Sequence, residues 1–226
     1  MSVSTKGLTK IFLRGQTNEV LAVDDVNLSV SEGDFVSIVG PSGSGKSTLL
    51  NMMGLLTYPT RGDVYYGDVP VTKYSDGRRT SVRRDNVGFI FQQYNLLLHL
   101  SSWENVALPL ICRGIGPSEM RSMAVEILSR LGVGDRLDFR VGHLSGGEQQ
   151  RVAIARALVT EPRIIFADEP TASVDEANAR LIIDLFKGLK KEGRTIVVST
   201  HDPALRSEAN RLLMMNHGRL TEENQE

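Results

Sequence analysis

The nine residues GPSGSGKST, Gly40 to Thr48, constrain this chain more than any other stretch. They satisfy the G-x-x-x-x-G-K-[ST] pattern between an apolar run, DFVSIVG (Asp34 to Gly40), and a helix-like run, KSTLLNMMGLL. Strand, glycine-rich loop and helix in that order make a phosphate cradle. Gly43 and Gly45 let the backbone turn successive N–H groups toward phosphate oxygens. The helix that follows adds the positive end of its dipole. Gly40, Pro41, Ser42, Ser44 and Thr48 complete the loop, Lys46 offers a point charge to the outer phosphates, and Ser47 offers a hydroxyl suited to Mg2+. A Gly/Ser turn that merely caps a helix needs neither the lysine nor the strand, so the pattern predicts binding of a nucleoside triphosphate.

Three more apolar runs end in polar residues: NVGFIFQ at Gln92, RIIFADE at Asp168 and Glu169, and RTIVVSTHD at His201. Continuous apolar strands fit a parallel sheet covered on both faces, where ligands gather at the carboxyl ends. Asp168 stands where a carboxylate holds Mg2+ through water. Glu169 follows it, and neighbouring strand residues point opposite ways, so the two acids are given separate tasks. A glutamate at the mouth of such a site can polarise an attacking water. Gln92 and His201 join them, although a lone histidine at a strand end is often only structural.

From Tyr94 to Leu158 the character changes. GPSEMRSMAVEILSRLG places Met120, Met123, Ala124, Ile127, Leu128 and Leu131 at helical spacing. The expected architecture is α/β: a P-loop core with a mainly parallel sheet over residues 1–92 and 159–226, and an inserted helical lobe over 93–158. An antiparallel β layer is expected from VLAVDDVNLSV and GDVYYGDVPV near the N-terminus, and TEENQE reads as a frayed tail. The whole of 1–226 reads as a single domain.

With 26 basic and 27 acidic residues the chain has no overall pull toward nucleic acid. The cluster GRRTSVRRD, Gly77 to Asp85, reads as a solvated basic face. Cys112, the single cysteine, excludes an internal disulfide and reads as a small packed residue. No run approaches the ~20 apolar residues that cross a bilayer, so a soluble, cytoplasmic chain is expected.

A second stretch, HLSGGEQQR, also looks built to meet an anion. Ser145 followed by Glu148 is a capping box, but that leaves two glycines unexplained. Gly146 and Gly147 each cost roughly 1 kcal/mol of helix stability relative to alanine. A close approach of another backbone or ligand is the expected compensation.

Taken together, these stretches make the chain resemble the ATP-binding subunit of an ABC transporter over its whole length. GPSGSGKST resembles the Walker A loop, RIIFADEP the Walker B strand with its glutamate, and LSGGE the signature. Gln92 falls at the Q-loop position, Asp175 in SVD at the D-loop, and His201 at the switch histidine. The wording of NVGFIFQQYNLLLHLSSWENVALPL and LSGGEQQRVAIARAL is most similar to the lipoprotein-release and macrolide-export subgroup.

The resemblance implies a homodimer formed on ATP binding, with two ATP molecules between one chain's Walker A loop and the other's signature. It implies that Phe12 stacks on adenine in place of a frequent tyrosine. Ser47, Gln92 and water held by Asp168 would surround Mg2+, Glu169 would activate water, and His201 would contact the γ-phosphate. Ser145, Gly146, Gly147 and Glu148 would face the other chain's phosphates, and Asp175 would lie near the interface. Transmembrane permease subunits would be the partners, and the chain would sit on the cytoplasmic face of the membrane through them.

Departures from the pattern are Phe12, Leu98 for a frequent proline, and Glu148 for the commoner glutamine. Tyr94, Leu96, Leu97, Leu98, Leu100 and Trp103 are read as lobe core, with a partner groove as the alternative. A DNA-repair or ribosomal ATPase would need long heptads or a second ATPase domain. A GTPase would need an Asn-Lys-x-Asp segment, which the sequence lacks. An ABC-type regulator of a membrane complex, as in cell division, stays open at this point.

Overall fold

The computed structural model describes residues 1–223. Among these residues ten strands form two sheets. The larger has the order β10-β9-β3-β8-β7-β6, built from β3 (Phe35–Val39), β6 (Val87–Ile90), β7 (Ile164–Asp168), β8 (Thr195–Ser199), β9 (Arg211–Asn216) and β10 (Arg219–Glu223). All neighbours are parallel except the hairpin β9–β10. The smaller, antiparallel sheet has the order β2-β1-β4-β5, from β1 (Val3–Phe12), β2 (Val20–Val30), β4 (Arg61–Tyr66) and β5 (Val69–Pro70).

The sequence reading misses β1, although Val3, Thr5 and Leu8 are buried in it. Val3 and Thr5 are two positions apart, as alternation requires, but Thr5 and Leu8 are three positions apart. A register shift between those two residues breaks the period. It also misses the β9–β10 hairpin, whose turn residues His217 and Gly218 both have positive φ, the geometry that a tight hairpin demands. Thr221 to Glu223, read as frayed tail, pair with β9. The remainder of that tail, 224–226, lies outside the described residues.

Helix α1 (Lys46–Met53) packs between the sheets. Leu49, Leu50, Met52 and Met53 join Val36, Ile38, Phe166 and Val197 in one core. The helix stops sooner than KSTLLNMMGLL suggests, because Leu55 turns left-handed at φ 61. The free carbonyls beyond it receive arginines from α2 (Asp76–Asn86). Arg79 donates to Leu55 O at 3.0 Å and Thr57 O at 3.2 Å, and Arg83 donates to Leu55 O at 2.8 Å. Arg79 is 2% exposed and stacks on Tyr58, so the cluster read as a solvated basic face is in part a buried cap.

The other face of the large sheet is covered by α6 (Glu176–Lys191) and the C-terminal part of α5 (Gly146–Leu158), with Ile182, Ile183, Phe186 and Leu189 against Phe35, Ile165 and Val198. A short α7 (Pro203–Arg206) follows β8. Segment 93–158 supplies α3 (Ser102–Ile111), α4 (Pro117–Arg130) and the whole of α5. Val106, Leu110, Ala124, Leu128, Val152 and Ala155 make their shared core. Leu96 and Trp103 pack against it, whereas Leu97 and Leu98 are exposed, so the run after Gln92 divides between core and surface. Cys112 is also exposed, contrary to its reading as a packed residue, because it caps the solvent end of α3.

Candidate functional site

At the carboxyl ends of β3, β6, β7 and β8 lies an open cleft of about 550 Å³. It is lined by residues from each of the four polar strand ends: Ser42 to Ser44, Lys46 and Ser47; Gln92; Asp168 and Glu169; His201. Thr171 and Asp202 line it too. The sequence reading did not select them, and Asp202 is the side-chain cap of α7. Of the loop residues expected there, Gly40, Pro41, Gly45 and Thr48 are not part of the lining, and Phe12 lies outside it at the end of β1.

The loop geometry follows from its glycines. Gly45, the residue before α1, has φ 109, and a β-carbon there would meet the Met215 side chain at 2.8 Å. No side chain caps the helix and no acid lies in its first turn, so its first amides are left to meet an anion. Lys46 is 7% exposed and donates to Gly40 O at 2.7 Å and Pro41 O at 3.1 Å. Ser44 Oγ is buried without a hydrogen-bond partner in the described residues. An orphaned hydroxyl, a confined ammonium and uncapped amides fit a phosphate-bearing ligand.

The acids are held from β8. Glu169 leaves the strand in a left-handed conformation, φ 47, which costs a non-glycine residue about 1 kcal/mol or more. Its N–H donates to Ser199 O at 3.0 Å, and its Oε2 accepts the His201 N–H at 3.3 Å. The His201 ring nitrogen Nε2 lies 3.4 Å from Glu169 Oε1. The Glu169 side chain is 11% exposed and that of His201 60%, so the glutamate is sheltered while the imidazole reaches solvent.

None of Ser145, Gly146, Gly147 and Glu148 lines this cleft. They begin α5, and the capping box forms in full: Ser145 Oγ accepts from Glu148 N at 3.3 Å, and Glu148 Oε2 accepts from Ser145 N at 2.8 Å. Arg136 Nε donates to Glu148 Oε1 at 2.9 Å. The Ser145 bonds, with Arg136 behind them, hold the Glu148 carboxyl below its usual range. The departure from glutamine therefore brings a neutralising partner with it.

The two glycines separate. Around Gly146 a β-carbon would have ordinary room, with Tyr94 Oη at 3.7 Å and Ser173 O at 3.8 Å. At Gly147 it would meet Asn178 Cγ at 2.6 Å, so there the close approach comes from within the chain. Asn178 is itself tied down. It donates to Asp175 Oδ2 at 2.7 Å, and Arg151 donates to its side-chain oxygen. Asp175 caps α6, and its bonds with Asn178 lower its carboxyl pKa. Gly147→Ala is expected to destabilise the fold by about 1–3 kcal/mol through overpacking, despite the better helix propensity of alanine. Asn178→Ala in the same chain should restore most of that loss in thermal unfolding. A Gly147→Ala variant as stable as the parent would remove Asn178 as the reason for the glycine.

On α5 a third tie runs to the segment after Gln92. Arg156 Nη2 donates to Tyr94 O at 2.7 Å and Nη1 to Asn95 O at 2.5 Å. Tyr94 and Asn95 both have positive φ, 58 and 51. Burial lowers the Arg156 pKa.

Comparison with known proteins agrees with this geometry. A family model described as ABC transporter matches residues 23–172. An ABC transporter ATP-binding protein of Methanocaldococcus jannaschii is 42% identical over 220 residues, covering 97% of this chain and 98% of that one. The macrolide export ATP-binding/permease protein MacB of Hyphomonas neptunium is 42% identical over 96% of this chain, which spans 34% of that protein. Among solved structures, the ATP-binding cassette MJ0796 in a dimeric post-hydrolysis state with ADP and Pi has a TM-score of 0.91, with 41% identity over 97% of this chain and 98% of that one. With a phosphate cradle, two consecutive acids at the end of β7 and a capped signature helix in one fold, the chain belongs to the ATP-hydrolysing, ATP-binding proteins of the ABC transporter family.

Proposed function

We propose that two copies of this chain close around two MgATP molecules, and that hydrolysis drives extrusion through transmembrane permease subunits. The observation that carries this reading is that the chain splits its anion-receptive features between two places. The cleft holds Lys46, Ser47, Gln92, Asp168, Glu169 and His201, while Ser145 and Gly146 lie outside it with space at Gly146. A second copy brings the halves together.

In the closed dimer the backbone N–H groups of Ser42, Gly43, Ser44, Gly45 and Thr48 and the Lys46 ammonium grip the phosphates, Gly40 and Pro41 shape the turn of the loop, and Phe12 stacks on adenine. Ser47 Oγ, the Gln92 amide oxygen and water held by Asp168 would hold Mg2+, which would supply neutralisation of the phosphate charge. Glu169 aligns the attacking water and receives its proton. His201, braced on Glu169, donates to the γ-phosphate. Ser145, Gly146 and Gly147 bring hydrogen bonds from the other chain, and Asp175 lies at the interface. Arg136 keeps Glu148 from repelling the phosphates. Once the γ-phosphate is released, the link between the halves is gone and the dimer opens.

No helix among the described residues is long and apolar enough to cross a membrane. MacB joins a permease to its ATP-binding part by name, which supports a membrane partner for this chain and a place on the cytoplasmic face. The exposed Leu97 and Leu98 beside Gln92 supply apolar surface for that contact. The test is the ATPase rate per chain as a function of chain concentration, with co-isolation of an integral membrane protein from tagged cells. The rate is expected to rise steeply with dilution reversed. A rate per chain that stays constant where light scattering finds only monomers with ATP would sink the composite site.

A further inference from the structure

Strand β8 runs through buried Ile196, Val197 and Val198 and then ends on Ser199, which is 0% exposed. A hydroxyl in such a place must satisfy itself locally, and its partners are the two acids. Ser199 Oγ donates to Asp168 Oδ1 and accepts from the Glu169 N–H at 3.3 Å. The Ser199 carbonyl takes the same N–H at 3.0 Å. The register explains the convergence, because Asp168 and Ser199 are paired in the parallel ladder between β7 and β8. Among the described residues, Asp168 Oδ2 has no protein donor, and Asp168 lines the cleft. One carboxylate oxygen is therefore occupied by the serine while the other is left for a ligand. On the other side, the left-handed turn at Glu169 is pinned at its amide by Ser199 and at its carboxylate by His201.

We propose that Ser199 is a positioning residue for hydrolysis, fixing the Asp168 carboxylate toward the metal shell and the Glu169 backbone toward the water. The inference rests on the roles given above to Asp168 and Glu169. Partners behind a metal-holding group are typically worth about 10- to 100-fold in metal affinity or activity. Ser199→Ala removes the hydroxyl, and Ser199→Thr keeps it on a strand already rich in β-branched residues.

The experiment measures binding of the non-hydrolysable β,γ-imido analogue of ATP without metal, Mn2+ binding to the chain–analogue complex by electron paramagnetic resonance, and steady-state ATPase. Ser199→Ala is expected to bind the metal-free analogue like the parent, since Lys46 and the loop are untouched. Its Mn2+ affinity and kcat are each expected to fall about 10-fold, and Ser199→Thr should keep both close to parental values. Equal Mn2+ affinity and turnover in Ser199→Ala and the parent would overturn the inference. So would loss of metal-free binding in Ser199→Ala, which would make the hydroxyl a general support of the fold. A parent chain that binds no Mn2+ with the analogue would overturn the metal site itself, and the role of Ser199 with it.

Discussion

Glu169→Gln should bind MgATP as the parent does, hydrolyse it at least about 100-fold more slowly, and accumulate as an ATP-held dimer. The amide is nearly isosteric and can keep one contact with His201, whose N–H lies 3.3 Å from Glu169 Oε2. It cannot accept a proton from water. The Glu169 N–H keeps both of its Ser199 acceptors in the variant, so the substitution leaves the loop in place. Single-turnover hydrolysis with size measurement by light scattering checks both halves of the expectation. Rapid turnover in the variant would remove Glu169 from its role, and slow turnover without a dimer would separate the chemistry from the proposed assembly.

Lys46→Ala should weaken ATP binding by roughly 10- to 100-fold, the loss expected when charge-assisted hydrogen bonds worth ~1.5–3 kcal/mol disappear. The lysine acts twice. Its ammonium ties Gly40 O and Pro41 O together, and its charge faces the cleft that Ser42 to Ser44 line. Lys46→Met, which keeps most of the apolar stem, separates the two contributions from packing. Titration calorimetry with the nucleotide gives the constant directly. A dissociation constant unchanged in both variants would count against the cradle.

Most of the cleft was legible in the sequence because its residues are local signals. A glycine loop between strand and helix, and polar residues closing apolar runs, need no knowledge of distant neighbours. The capping box at Ser145 and Glu148 is local too, and it forms as the spacing predicts. What escaped depends on contacts between distant segments. Ser199 is one more small polar residue until β7 lies beside β8 and places it against Asp168. Gly147 seemed to ask for an external ligand because Asn178, 31 residues later, is not its neighbour in sequence. Arg79 looked solvated among several arginines until α1 ended early and left carbonyls for it to cap. Hydrophobic period likewise failed at β1, where irregular pairing breaks the alternation.

The guanidinium of Arg156 answers to neutral carbonyls of Tyr94 and Asn95 rather than to a carboxylate. Mobile ions screen charge pairs at the surface, such as Arg121 with Asp138, over a Debye length of about 10 Å at 0.1 M. A half-buried cation bound to backbone dipoles is screened less. The tie between α5 and the segment after Gln92 therefore persists at ionic strengths that dissolve surface pairs. Movement of one element will be felt by the other in dilute buffer and in concentrated salt alike.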